Sequence, residues 1–452
     1  MTLREQLVNK VASNKPRARA SMARLADGIA SAGVLDATGA TRTFLCPALL
    51  DTSDCDALSH DLPKLLDLMI DIPRRLFDGD VAAMCQAMGI GSPMREAIIA
   101  TCPQQEVPLG RADLMHDGES FKLLEFNVHS RLGGLENAQL VREVLKIPFF
   151  QEFINEYRLS FIDSIDGVAK SLWKVARAWG AGKRPVVAVM DWPTTFPFFF
   201  SRRMSVLLNE RGFDAFCCHV GQASMYQGTL VVADRPVDIV YRMFLIQDLE
   251  ESPQSTAVIF DAVRAGAAVL VMGFAAELIG NKGTLALLSD PSNEGRFSTQ
   301  EQALIDRYIP WTRLVRLGQT QWRGQEVNLP AFAWAAQSKL VLKPILGRGG
   351  QGVMLGCAST PQAWRAALEG AVNGEVTHVL QERIRPRTER LAWATSAGIQ
   401  LEEVVLNWGV FVAGGRYNGS IVVGGRPDSH PVFNVGQGAA LGCCLHQTPA
   451  CQ

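Results

Sequence analysis

Hydrophobic spacing changes several times along this chain, and each change predicts a different kind of element. Through the first hundred residues apolar positions recur at helical intervals, at Leu65, Leu66, Met69 and Ile70 and again at Met94, Ile98 and Ile99. The stretch Phe121-Lys-Leu-Leu-Glu125-Phe-Asn127 alternates well enough for a strand that carries Glu125 and Asn127 on one face. Residues 135–180 read as two helices. Pro185-Val-Val-Ala-Val-Met190 is a short, fully apolar strand ending at Asp191-Trp-Pro. A helix around 199–211, a strand at 237–241, a helix near 254–265 and a strand at 268–272 follow, which predicts a parallel α/β sheet. Beyond it lie a helix over Asn281–Leu288 and an apolar run, 340–343, that enters a glycine-rich turn. A helix from Pro361, a strand over Thr377–Glu382 and a β-rich tail from Leu401 through Val423 complete the reading. The stretch 385–400, with Arg385, Arg387 and Arg390, is expected to be a mobile loop.

With 452 residues, 48% hydrophobic and 20% charged, the chain belongs with ordinary globular proteins and has room for about three units. A net charge of −1 provides no basic field for nucleic acid or an acidic membrane. No run of about 18 apolar residues suggests a membrane span. The ten cysteines lack Cys-x-x-Cys spacing, so neither a zinc site nor a disulfide framework is expected. Free thiols and a charged, amphipathic N-terminus instead suggest the cytoplasm.

The strongest chemical signal is Lys343-Pro-Ile-Leu-Gly347-Arg348-Gly349-Gly350-Gln351-Gly352. Four glycines within six residues let backbone N–H groups turn toward an anion, and the lysine adds a point charge. The lysine precedes the glycines, so this is not a Walker loop; a second strand rather than a helix follows, so it is not a Rossmann turn. Asp113, Glu125 and Asn127 form a set of hard oxygen donors suited to Mg²⁺ beside nucleotide phosphates. Gln381-Glu382-Arg383-Ile384 ends an apolar strand, a place where adenine is often read. Arg111, Arg242, Lys282, Arg348 and Arg426 stand at element ends, where converging cations stabilise phosphoryl transfer.

These pieces resemble the circularly permuted ATP-grasp ligases, of the type found in the synthetase half of glutathionylspermidine synthases. The matching segments are Arg111-x-Asp113, Glu125-Phe-Asn127, Val240-Tyr-Arg242, Asn281-Lys282, Lys343-Pro-Ile-Leu-Gly-Arg348, Val379-Leu-Gln-Glu382, and Gly424-Gly-Arg426 with Asn434-Val-Gly-Gln-Gly438. They run in the family's order between about 105 and 442, with the acidic residues ahead of the glycine-rich loop, as permutation would leave them.

The resemblance implies an α/β (α+β) ATP-grasp fold with a parallel-sheet pre-ATP-grasp domain. It divides the chain into a helical region 1–104, part of the core with the metal ligands 105–180, a substrate domain 181–280, a nucleotide-binding subdomain 281–384 and the rest of the core 385–452. It implies ATP and Mg²⁺, with Asp113, Glu125 and Asn127 on the metal. Lys282, Lys343, Gly347, Gly349, Gly350, Gln351, Gln381, Glu382 and Ile384 would hold ATP, and Arg111, Arg348 and Arg426 would act in catalysis. The implied reaction joins a carboxylate to an amine through an acyl phosphate, and a homodimer is expected by analogy.

Where the family commonly has an acidic residue and Thr-Pro, this chain has Val128-His-Ser-Arg131-Leu-Gly-Gly. Arg131 and Arg242 are therefore substrate candidates, and an amino acid or short peptide is expected in place of a glutathionylspermidine precursor. A phosphotransferase and a catalytically silent nucleotide-binding protein are the alternatives.

Overall fold

The computed structural model describes residues 2–31, 43–44, 46–102, 109–129, 131–135, 137–194, 199–347, 349–374, 376–395, 398–427, 432–433, 435 and 438–447. The N-terminal region is helical, as its periodicity predicts. Helices span Leu3–Ser13, Lys15–Ser31, Thr52–Phe77, Val81–Ala87 and Met94–Thr101. The first starts at a capping box in which Thr2 and Glu5 satisfy each other's backbone donors. In the longest, Leu58, Leu62, Leu65, Met69 and Ile72 fall on one stripe and are buried. One short strand, Ala48–Leu50, was not foreseen; it joins the edge of the central sheet, parallel to Ala440–Gln447.

That central sheet runs in the order Ala48–Leu50, Ala440–Gln447, Arg416–Gly425, Gly398–Ala413, Leu109–His116, Phe121–Asn127. Strands from residues 109–127 thus pair with a set of strands drawn mainly from the C-terminal part of the chain, 398–447. The register sets Asp113 opposite both Glu125 and Gly409, and Arg111 opposite Asn127 and Phe411. A bulge after Asp113 shifts the pairing, so that Leu114 pairs with Leu123. Trp408, fully buried, anchors the other face against Phe121.

The alternating segment folds as a parallel sheet in the order Val269–Val271, Ile239–Arg242, Val186–Asp191, Asp214–His219. A small antiparallel meander, Ala223–Tyr226, Thr229–Val232 and Arg235–Pro236, is an addition that the pattern did not reveal. A third, antiparallel sheet holds Thr312–Leu314, His378–Glu382, Leu340–Pro344 and Met354–Leu355. The glycine-rich segment is the connection of its last hairpin.

Two expectations need correction. Residues 135–180 hold three helices, Asn137–Leu145, Pro148–Glu156 and Ser164–Trp179. The expected mobile loop contains the strand Glu389–Thr395, paired antiparallel in unbroken register with Gly398–Ala413. Its charges are cross-strand partners, Arg390 facing Glu403. All nine cysteines described are free thiols, and no helix among the described residues is long and apolar enough to cross a membrane.

Gly424 of the Gly-Gly-Arg segment has a structural use. A Cβ there would lie 2.1 Å from the backbone oxygen of Val405 on the neighbouring strand. Gly424→Ala should therefore destabilise the protein by about 1–3 kcal/mol, measured by chemical denaturation, because backbone must shift to admit the methyl group.

Candidate functional site

The central sheet and the glycine-rich sheet face each other across a cavity of about 980 Å³. Its floor carries Arg111, Asp113, Glu125, Asn127 and Gly409; its roof carries Val341, Lys343, Leu355 and Gly347, Gly349 and Gly350. The roof loop turns through left-handed glycines, with φ of 57° at Gly349, 77° at Gly350 and 70° at Gly352, a conformation that other residues rarely adopt.

Arg111 and Asp113 share a face of their strand, two residues apart, and pair bidentately. Nε donates to Oδ1 at 2.6 Å and Nη2 to Oδ2 at 2.9 Å, while Nη1 donates to the Gly133 carbonyl at 2.8 Å. Three of five guanidinium N–H groups are thereby engaged, leaving two for a ligand. Lys282 is the first residue of the helix Lys282–Leu288, capped by Asn281, whose side chain accepts from Gly283 N. This brings its Nζ to 2.8 Å from Glu125 Oε2, and Nζ also donates to the Gly347 carbonyl at 2.8 Å. Lys343 donates to Gln381 Oε1 at 2.6 Å and to the Leu124 carbonyl at 3.2 Å.

These charges are mutually dependent. Burial would raise the Glu125 carboxyl, but Lys282 and Lys343 outweigh it and hold the group at about 2. Burial lowers Lys343 to about 8 against the opposing pull of Glu125. For Asp113 burial prevails over the attraction of Arg111, and its pKa is raised.

The three proposed metal donors meet: Asn127 Nδ2 lies 3.1 Å from Asp113 Oδ2 and 3.3 Å from Glu125 Oε1. No group of three or more His, Cys, Asp or Glu side chains placed for a metal occurs among the described residues. Two carboxylates and one amide nevertheless fit Mg²⁺, which takes few protein ligands and completes its shell with phosphate oxygens and water.

The other candidates are distributed unevenly. Ile384 lines the cavity. Gln381 does not; it is buried, holds Lys343 and donates from Nε2 to Thr312 Oγ1. The Glu382 carboxylate pairs instead with Arg323 at 3.1 Å, beside a smaller adjoining cavity. Gln351 is exposed on the roof loop, outside the lining. Arg426 is largely exposed and lies 3.7 Å from Glu402. Arg131 lines the cavity, with Nη2 on Asp191 at 2.8 Å and Nε on the Met243 carbonyl at 3.1 Å. It thus ties the cavity wall to the ends of two parallel strands. Arg348 lies outside the described residues, as do Asn434, Gly436 and Gln437. His129, Leu245 and Asn407 line the cavity unforeseen; His129 and Leu245 lie close in sequence to Asn127 and Arg242, and no sequence signal marked Asn407.

Arg242 requires correction. It is fully buried, its Nη1 donates to Glu277 at 2.9 Å and to the Phe244 carbonyl at 2.6 Å, and Nε donates to the Met272 carbonyl. The Phe274 ring lies 4.3 Å beneath the guanidinium. It is part of the packing between strand ends and does not line the cavity.

No protein-family model matches the sequence, and no curated protein matches it. Solved structures do. A glutathione synthetase-like effector from Globodera pallida aligns over 93% of this chain and 96% of its own, with 12% identity and a TM-score of 0.58. At that identity the likeness speaks for the fold alone. A candidate gamma-glutamylcysteine synthetase from Methylobacillus flagellatus covers 86% of this chain and 88% of its own, with 12% identity and a TM-score of 0.44. A D-alanyl-alanine synthetase A from Vibrio cholerae covers 50% of this chain and 68% of its own, with 11% identity and a TM-score of 0.26. The last two are too distant to carry an inference.

Because Arg242 and Glu277 are a buried pair, removing one partner leaves an unmatched charge. Arg242→Ala should cost about 3–5 kcal/mol in denaturant unfolding, and an unaltered midpoint would show that the pair is dispensable.

Proposed function

We propose that this chain is an ATP-dependent carboxylate–amine ligase that forms ADP, acts through an acyl phosphate and is built on a circularly permuted ATP-grasp core. The observation that carries this reading is one cavity in which separate parts of the chain place Arg111, Asp113, Glu125 and Asn127 opposite Lys282, Lys343 and a glycine-rich loop. The fold shared with a glutathione synthetase-like effector supports it. So does the junction of strands 109–127 with strands 398–447 in one sheet, the arrangement that a permuted chain would need.

In this reading the phosphates lie beneath the turn at 347–350, within reach of Lys282 and Lys343. Asp113, Glu125 and Asn127 would hold Mg²⁺, which when bound would neutralise phosphate charge. A carboxylate oxygen of the first substrate attacks the γ-phosphorus; the bond to the bridging oxygen breaks, and ADP leaves with that electron pair. Arg111, oriented by Asp113, directs its remaining N–H groups at the transferring oxygens. The amine nitrogen then attacks the acyl carbon, phosphate departs, and the nitrogen loses a proton to give an amide. Arg131, Arg348 and Arg426 are the proposed contacts for the substrate carboxylate and the acyl phosphate. Amino acids or short peptides are the proposed substrates.

ADP release should require a matched acid and amine when the protein is supplied with ATP, Mg²⁺ and amino-acid pools. Glu125→Ala and Arg111→Ala should each abolish that release while the circular dichroism spectrum is retained; wild-type turnover in either would refute the site assignment. Lys343 adds a pH signature. Its folded pKa of about 8 lies below the ordinary 10.5, so it loses its charge as pH rises through 8. Bound phosphate favours the charged form, so ATP affinity should fall by up to about tenfold per pH unit above 8. Titrations at pH 7 and pH 9.5 measure this, and equal affinities would remove Lys343 from the phosphate site.

A further inference from the structure

We propose that the acid partner of the ligation carries an apolar side chain, which packs against a wall built by the strands Arg416–Gly425 and Ala440–Gln447 and the link between them. The inference rests on the ligase reading and names the class of its first substrate. Among the described residues, everything these segments contribute to the cavity lining is apolar: Ile421, Val423, Pro427, Val432, Phe433, Val435 and Leu441. Ile421 and Leu441 are buried, whereas Val423, Val432, Phe433 and Val435 are half-buried. Val423 is paired on both sides, with Asn407 and with Leu441. Its strand is thus interior to the sheet, and the surface it leaves uncovered lies on the cavity. A Cβ on Gly350 of the roof loop would lie 2.8 Å from Val432 Cγ1, so the apolar wall reaches from floor to roof. Covering such surface is favourable in proportion to its area.

The order of side chains across the floor locates this wall relative to the chemistry. Lys282 meets Glu125 on the outermost strand, Phe121–Asn127, and Lys343 donates to the Leu124 carbonyl of the same strand. Arg111 and Asp113 stand on the next strand, Gly409 on the one after, and Ile421 directly opposite Gly409. Residues directly opposite in antiparallel strands share a face. A Cβ on Gly409 would lie 3.0 Å from Arg111 Cδ and 3.0 Å from Ile421 Cγ2, so the stem of the arginine and the first apolar side chain flank one gap. In phosphoryl transfer the attacking and leaving oxygens lie on opposite sides of phosphorus. With ADP leaving on the side of Lys282 and Lys343, the attacking carboxylate comes from beyond Arg111, where the wall begins. A polar side chain there gives up its hydration and gains no partner from the wall; an apolar one covers the surface that Val423 exposes.

Hydroxylamine in place of the amine isolates the acid: its nitrogen attacks the acyl carbon, phosphate leaves, and a hydroxamate forms. With ATP, Mg²⁺ and hydroxylamine, leucine, isoleucine, methionine and phenylalanine should give hydroxamate with kcat/KM at least about 10-fold above asparagine, glutamine, aspartate, glutamate and lysine. Val423→Thr keeps the shape and adds a hydroxyl. It should lower kcat/KM about 5- to 30-fold for the apolar acids and less than about twofold for the polar ones, with ATP affinity by calorimetry unchanged. Preference for a polar or charged acid overturns the proposal. So does an equal loss with every acid in the variant, which would make Val423 structural, or no loss at all. Weaker ATP binding by the variant also overturns it, since the wall would then belong to the nucleotide. Absence of both ADP and hydroxamate with every acid would instead refute the ligase reading itself, and the substrate class with it.

Discussion

Five charged groups packed together, Asp113, Lys282 and Lys343 buried and Arg111 and Glu125 half-buried, hold this site in place. Glu125 is tolerable in the interior because Lys282 reaches it from a helix start and Lys343 from the roof sheet; Asp113 because Arg111 clasps it from two residues away. Each of the three contributing segments would otherwise bury a charge without its partner. The two facing sheets are thus joined across the cavity by polar chemistry, even though apolar packing builds each of them. Lys282 marks the junction: it touches the floor at Glu125 and the roof at Gly347 together.

Much of the architecture was legible because it is local. Alternation through 121–127 correctly placed Glu125 and Asn127 on one face, and the apolar strands after 185 announced the parallel sheet. The register of Asp113 against Gly409, almost three hundred residues away, has no local signature. Arg242 shows the same limit from the other side: an arginine at a strand end looks alike whether it faces a cavity or an interior carboxylate, and its partner Glu277 lies 35 positions on. Gln381 is expected from the sequence beside the adenine, and what its side chain contacts in the fold is Lys343 and Thr312. The strand Glu389–Thr395 falls within the stretch 385–400 that reads as a loop, because charges such as Arg390, whose cross-strand partner Glu403 lies beyond that stretch, recur along it.

The pairing between residues 109–127 and 398–447 also governs the order in which the molecule is made. Asp113 cannot meet its neighbour Gly409 until nearly the whole chain has left the ribosome. At ordinary synthesis rates that is a wait of about 15–60 s, during which strand Leu109–His116 has an open edge. Contacts so far apart in sequence form slowly even in a complete chain. The parallel sheet at 186–271 draws on neighbouring segments alone and is under no such delay. Assembly of the cavity is therefore expected to be the last event of folding, and the nascent protein to depend on protection of that edge until its C-terminal strands arrive.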